Sequence, residues 1–295
     1  MTTITADLSS ALAPRRTFLN NLVHFLKRNP LALAGLVIVV VTLLVAVFSP
    51  LLVPYDPIQP DLNVKLNAPS AAHVLGTDDM GRDIFSRILL GTRVSLTSAL
   101  IIISVSMVFG LFIGLIAGFI GGWLDDLLMR LTDIFLAFPA LILAMAISAT
   151  LGPSLQNAMI AVASVWWPWY ARLVRGQVIS IRNREYVEAA RSVGATPLRV
   201  LMRHIFPNTL GPLLVQATLD VGNTILLTAS LSFIGLGAQP PTPEWGSMVS
   251  VGRLYLLGYW WVPTMPGFAI LLTVLGFNLL GDALRDFADV RERAL

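Results

Sequence analysis

Four groups of residues have the types and spacing to do chemistry. The stretch "EYVEAARSVGATPLRVLMRHIFPN", Glu185–Asn208, gathers Glu, Arg and His between apolar neighbours. "GTDDMGRD" brings Asp78, Asp79 and Asp83 close together, as a cation site would. Asp220 is a single acid inside an apolar run, and Trp166, Trp167, Trp169 and Tyr170 cluster around Pro168. The corresponding enzyme chemistries fail on spacing. His24, His73 and His204 are far apart in sequence and make no H-E-x-x-H pair, so a histidine-based hydrolytic site is excluded. The three aspartates lack the remaining ligands of a calcium loop, and capping of a short outer helix is the better reading. The chain has two lysines, Lys27 and Lys65, and neither sits in G-x-x-x-x-G-K-[ST], so it carries no phosphate-binding loop of its own. With no cysteine, disulfides and thiolate metal sites are impossible.

Composition says what must hold these residues. Of 295 residues, 56% are hydrophobic and 13% charged, about half the charge of an ordinary soluble domain. Mean hydropathy is +0.76. This is an all-α polytopic membrane protein. About 20 apolar residues cross the hydrocarbon core, and the charge-free runs predict six transmembrane helices near 31–53, 94–119, 127–151, 156–178, 210–235 and 263–284. The 38 charge-free residues between Asp133 and Arg172 are short for two full helices and a turn. The third and fourth spans therefore extend past those charges, turning at "LGPS", and Arg130, Asp133, Arg172 and Arg175 fall near one interface.

Lys and Arg placement sets the orientation. With both termini cytoplasmic, the inner segments hold all of the 20 basic residues except Lys65, Arg82, Arg87, Arg93 and Arg253. The formal charge of +3 is thus a topology signal, and nucleic acid is not needed as a partner. Residues 1–30 form an inner tail, with Thr17–Arg28 patterned as a helix lying on the membrane surface. Residues 54–93 are an external segment, 94–284 the five-helix core and 285–295 an inner tail. Trp260 and Trp261 suit the outer interface.

Within 179–208 the sequence specifies two short helices at an angle. "EYVEAARSV" favours helix, and Gly194 ends it as a C-cap glycine does. Thr196 can cap a second helix with Pro197 at its first position. Leu198, Leu201, Met202 and Ile205 supply that helix with an apolar face, and Pro207 stops it. Ala189, Ala190 and Gly194 leave a shallow surface into which a partner can dock closely. A purely structural scaffold would have little use for such a loop.

This loop resembles the EAA loop of ABC importer permeases: E-A-A, three residues, glycine, nine residues, then I-x-L-P. Here those positions read Glu188, Ala189, Ala190, Gly194, His204, Phe206 and Pro207, with His204 in place of isoleucine and Phe206 in place of leucine. "LGTDDMGRDIFSR" at 75–87, "LSFIGLGAQPPTPEWG" at 231–246 and "FNLLGDALRD" at 277–286 resemble the C-type subunit of the dipeptide/oligopeptide/nickel branch, over almost the whole chain after residue 30. The resemblance implies a type I ABC importer permease fold in the cytoplasmic membrane of a prokaryote, surrounded by lipid. It implies a second homologous permease as heterodimer partner, two ATP-binding subunits that hold ATP and Mg, and an external substrate-binding protein, with no cofactor on this chain. Coupling to the ATPase would then fall to Glu185, Glu188, Ala189, Ala190, Gly194, Ala195, His204 and Pro207. The cargo would be di- or oligopeptides, with nickel and oligosaccharides as alternatives. Candidates for the translocation path are Asp220, Thr228, Trp166 and Trp169. Asp220 would contact a substrate amino group or pair with a basic residue of the second permease, while the aromatic cluster would line a path or pack helices. Family members commonly carry an acid at the Thr228 position, which is turned about 80° around the helix from Asp220.

Overall fold

The computed structural model describes residues 28–292 and Leu26, with side chains up to Phe287. The expected surface helix at Thr17–Arg28 lies largely outside the described residues. Ten α-helices follow among those described: α1 (Pro30–Leu52), α2 (Ile84–Ile120), α3 (Gly122–Leu136), α4 (Ala140–Leu151), α5 (Leu155–Arg182), α6 (Glu185–Ser192), α7 (Pro197–Val200), α8 (Phe206–Phe233), α9 (Trp245–Gly252) and α10 (Trp261–Glu292). No strand forms among the described residues.

Against the six crossings expected, four are clear among the described residues, and five if the bent pair α3–α4 is one span. α1, α2, α10 and the unit Pro197–Phe233 are each long and apolar enough to cross a membrane. The third is not one straight helix: α3 and α4 meet at 86° across Ala137–Pro139. Pro139 forces its predecessor away from helical backbone. α4 then seats Ala144 in a small core with Ala158, Val162 and Leu231, and the Ser148 hydroxyl donates to the Leu236 carbonyl at 3.1 Å. α5, the expected fourth crossing, is long enough but falls short of the apolarity of the others, because it carries Arg172, Arg175 and Arg182. Two of these find acids on α3. Arg172 pairs with Asp133, and Arg175 reaches Asp125 through two nitrogens at 2.6 and 2.7 Å. The second crossing starts ten residues before the expected Val94, because the Asp83 carboxylate caps α2 by accepting from Ser86 N at 2.8 Å.

Glycines bring α2 and α5 together. A Cβ at Gly114 would lie 2.5 Å from the Ala171 carbonyl oxygen and 2.7 Å from Val174 Cβ. At Gly110 and Gly118 it would meet Tyr170 and Val178 at 2.5 and 2.8 Å. Repeated every fourth residue, these glycines form a ridge along which the two backbones touch, a means of helix association that works without a hydrophobic driving force.

The segments expected to be external pack over one end of α2. Asp78 takes Arg82 Nε at 2.7 Å and lies 3.4 Å from Arg87 Nε, and Arg87 Nη1 donates to the Pro57 carbonyl at 2.6 Å. Asp83 also meets His73 Nδ1 at 3.0 Å. Asp78 and Asp83 thus serve an ion-pair network and a helix cap. In the segment between α8 and α10, Trp245 is buried against Gly91, and Glu244 caps α9 by accepting from Gly246 N at 2.9 Å and Ser247 N at 2.8 Å. Burial pushes the Glu244 carboxyl above the usual carboxylate range, against the opposing pull of those two backbone bonds. A raised folded-state value means the folded protein holds this proton to higher pH than the unfolded chain. The contribution is therefore complete below the ordinary carboxylate range and is lost as pH rises through the raised value. Thermal melting in detergent should show stability falling with pH across that window, and Glu244→Gln should flatten the slope; an unchanged slope would remove Glu244 as its source.

Candidate functional site

The candidate coupling loop is built from local backbone bonds. α6 ends in a 6→1 and 5→2 pair: Ala195 N donates to Ala190 O at 3.0 Å and Gly194 N to Arg191 O at 2.9 Å. Gly194 takes φ +87°, the left-handed region this closure requires. Thr196 Oγ1 accepts from Arg199 N at 3.4 Å, with Pro197 at the first position of α7. Both caps fall where the sequence puts them.

The stop at Pro207 does not occur. α7 runs through a π turn, Leu201–Ile205, straight into α8, with Pro207 in the first turn of α8. The π turn is closed by Phe206 N donating to Leu201 O, one residue wider than an α bond. That widening moves the preceding carbonyls out of the way of the proline ring, the clash that otherwise breaks a helix. The expected apolar face also divides. Val200 and Ile205 are buried and Leu201 is partly buried, whereas Leu198 and Met202 are 68% and 55% exposed. Val187 anchors α6 in the main core, and the His204 ring lies 6.2 Å from that of Tyr186, linking the π turn to α6. Outward the loop presents Glu185, Glu188, Ala189 and Gly194 beside exposed Tyr186, Val193, Leu198 and Met202.

The acid of α8 is buried. Asp220 is 4% exposed and accepts from Gln216 Nε2 at 3.1 Å. The Tyr170 hydroxyl of α5 is near enough to interact with its charge, short of an ordinary hydrogen bond. Thr224, one turn beyond Asp220, is fully buried with its hydroxyl unpartnered, as is the Trp166 Nε1 one turn before Tyr170.

Residues 110–294 match the family described as the binding-protein-dependent transport system inner membrane component, and residues 17–69 match the N-terminal transmembrane domain of oligopeptide transport permease C. The chain belongs to this family of transport permeases. The permease is 48% identical over 287 residues to the probable D,D-dipeptide transport system permease of Escherichia coli K12, covering 96% of each chain. It is 46% identical to the dipeptide transport system permease of Alkalihalophilus pseudofirmus, covering 98% of this chain and 93% of the relative. A solved inward-facing structure of the MetNI methionine ABC transporter shares its fold at a TM-score of 0.57 and 20% identity, covering 69% of this chain and 97% of that one.

The permease brings its coupling candidates together and its path candidates only in part. Glu185, Glu188, Ala189, Ala190, Gly194 and Ala195 lie on or just after one short helix, with His204 and Pro207 at and after the π turn. Asp220 lies at the α5–α8 contact beside Tyr170, and Trp166 of α5 is partly buried against the main core. Trp169, by contrast, is 54% exposed. Thr228 is buried about 12 Å further along α8, its hydroxyl donating to the Thr224 carbonyl at 2.8 Å. A larger cleft of about 570 Å3 is lined by Trp167, Phe109, Phe135 and Gln156 among others, and by none of the four path candidates. Gln216 and Tyr170 were missed as neighbours of Asp220. The signal for Gln216 was present, since 216 and 220 recur at the spacing of one helix face.

Proposed function

We propose that this permease is one of two homologous membrane subunits of an importer that carries di- or oligopeptides into the cell. ATP and Mg act on two separate subunits, an external binding protein delivers the cargo, both termini face the cytoplasm, and the chain itself catalyses no reaction. The observation that carries this reading is the continuity of the loop. α6 is closed by a backbone motif at one end, and its other end follows α5 through Asn183 and Arg184 alone. α7 passes into α8 without an interruption longer than one π turn. A displacement imposed on the exposed face of α6 is therefore handed to the inner ends of α5 and α8 instead of being absorbed by slack chain. Those two helices meet again at Asp220 and Tyr170, so their relative movement opens or closes the bundle around a buried carboxylate. The peptide cargo is supported by the names of the two dipeptide relatives, and a carboxylate at that depth suits a peptide's ammonium group.

Reconstitution tests this. The two permeases and the ATPase subunits, in proteoliposomes with binding protein outside and ATP inside, should take up dipeptide, and uptake should cease without ATP. Asp220→Asn should raise the KM for a free-amine peptide about tenfold, the worth of one charge-assisted contact. Uptake that ignores ATP would end the importer reading. An unchanged KM and selectivity would remove Asp220 from the path.

A further inference from the structure

The inner ends of α2 and α5 meet the coupling loop at a cavity of about 360 Å3, lined by Phe119, Arg182, Asn183, Arg191, Ala195 and Pro197. Two of these six are arginines and none is an acid. Arg182 is half-buried and its guanidinium is fixed, with Nη1 donating to the carbonyls of Phe119 at 3.1 Å and Gly118 at 3.3 Å. Arg191 reaches the same space from the last turn of α6. Among the described residues neither arginine has a carboxylate partner, whereas Arg172 and Arg175, deeper on α5, are each matched to an aspartate of α3. Glu185 and Glu188, the acids of the loop itself, are not in the lining. The cavity therefore collects positive charge that no acid among the described residues neutralises.

Its margin is apolar on one side. Phe119 is followed by Ile120 and, after two glycines, by Trp123, which are 61% and 76% exposed. An exposed tryptophan beside a helix end marks the headgroup level of a bilayer. The opening thus lies where hydrocarbon-facing surface gives way to the cytoplasmic loop.

We propose that this cavity binds the phosphate of an anionic phospholipid from the inner leaflet, with Arg182 and Arg191 on its oxygens and the acyl chains running past Ile120 and Trp123. The inference rests on the reading of residues 179–208 as the cytoplasmic coupling loop. Arginine is suited to the task because its planar fork matches two phosphate oxygens at once, and basic pockets between spans on the cytoplasmic side recur as anionic headgroup sites. A phosphate held there would tie α6 to the end of α5 across the Asn183–Arg184 link. Lipid composition would then set how rigidly the loop follows the bundle. A soluble phosphate or an acidic side chain of an ATPase subunit offers the same charge, but neither has use for the apolar margin.

The test is lipid retention by the assembled transporter, delipidated in detergent, titrated with phosphatidylglycerol, phosphatidylcholine or inorganic phosphate, and read by native mass spectrometry. The wild type should retain phosphatidylglycerol about tenfold better than phosphatidylcholine, and Arg182→Gln and Arg191→Gln should each lose most of that preference. Arg191→Gln, on an exposed helix surface, decides the matter if Arg182→Gln disturbs the end of α2. Equal retention of the two lipids overturns the proposal, as does a preference that survives in Arg191→Gln. Inorganic phosphate bound in place of lipid would assign the cavity to a soluble anion. Lipid held only after the ATPase subunits are stripped away would assign it to them, and either result also overturns the proposal. None of these outcomes bears on the coupling role, which has its own test at Glu188.

Discussion

Glu188→Lys is expected to reduce substrate-stimulated ATP hydrolysis by the assembled transporter at least about tenfold, while membrane insertion and folding stay intact. Glu188 is exposed in the first turn of α6, where a carboxylate also favours the helix dipole. Reversing its charge costs the helix about 1 kcal/mol or less, too little to unfold the protein. The same change places a cation on the face a partner must approach, and mismatched charge at an interface costs several kcal/mol, about a hundredfold or more in affinity. Gly194 separates backbone strain from docking. Nothing lies within 4 Å of a Cβ built there, but its φ of +87° is one that side chains rarely adopt. Gly194→Ala should therefore cost roughly 1–2 kcal/mol of local stability and leave coupling near wild type. Gly194→Trp adds a bulky ring to the exposed surface and should uncouple hydrolysis from substrate. Stimulation at the wild-type level in both Glu188→Lys and Gly194→Trp would take the coupling role away from this loop.

The second large effect lies away from that loop. Gly114→Leu is expected to abolish recovery of folded permease, because α2 and α5 touch backbone to backbone at this point. Even Gly114→Ala sets its Cβ 2.5 Å from a main-chain carbonyl oxygen, which cannot rotate aside as a side-chain tip can. Separating the helices to admit one methyl group costs about 1–3 kcal/mol and loosens the neighbouring contacts at Gly110 and Gly118. Isobutyl at the same site would drive the helices apart along the whole ridge. Gly176 is the control, because a Cβ there meets nothing within 4 Å. Gly176→Ala should be neutral or mildly stabilising, since alanine is the better helix former. Thermal melting and size-exclusion of the detergent-purified variants read the difference. Gly114→Leu protein that melts with the wild type would show that the ridge does not hold the helices.

These two sites divide the molecule in a way that explains what could be read from the chain. Features governed by neighbours in sequence were legible. The closure at Gly194, the cap at Thr196 with Pro197 behind it, and the turn at "LGPS", where Gly152 has φ +91° and Ser154 caps α5, each follow from a few adjacent residue types. The long apolar spans were legible for the same reason, since hydrocarbon thickness demands a minimum apolar length whatever the segment packs against, although α5 with its three arginines falls short of the sixth expected.

The features that only the tertiary structure decided involve partners far away along the chain. A proline inside an apolar run can kink, break or merely begin a helix. At Pro139 the outcome was an 86° break, because α4 has a core and the Leu236 carbonyl just past the end of α8 to pack against, while at Pro207 a π turn let the helix pass. Asp220 read from sequence as a charge awaiting an external partner; in the bundle it is enclosed by its own Gln216 and by Tyr170, fifty residues earlier. The glycines of α2 showed nothing of their purpose until α5 lay across them. Sequence fixes what each helix must hide from lipid and water, but the identity of what it hides against depends on contacts that no local pattern encodes.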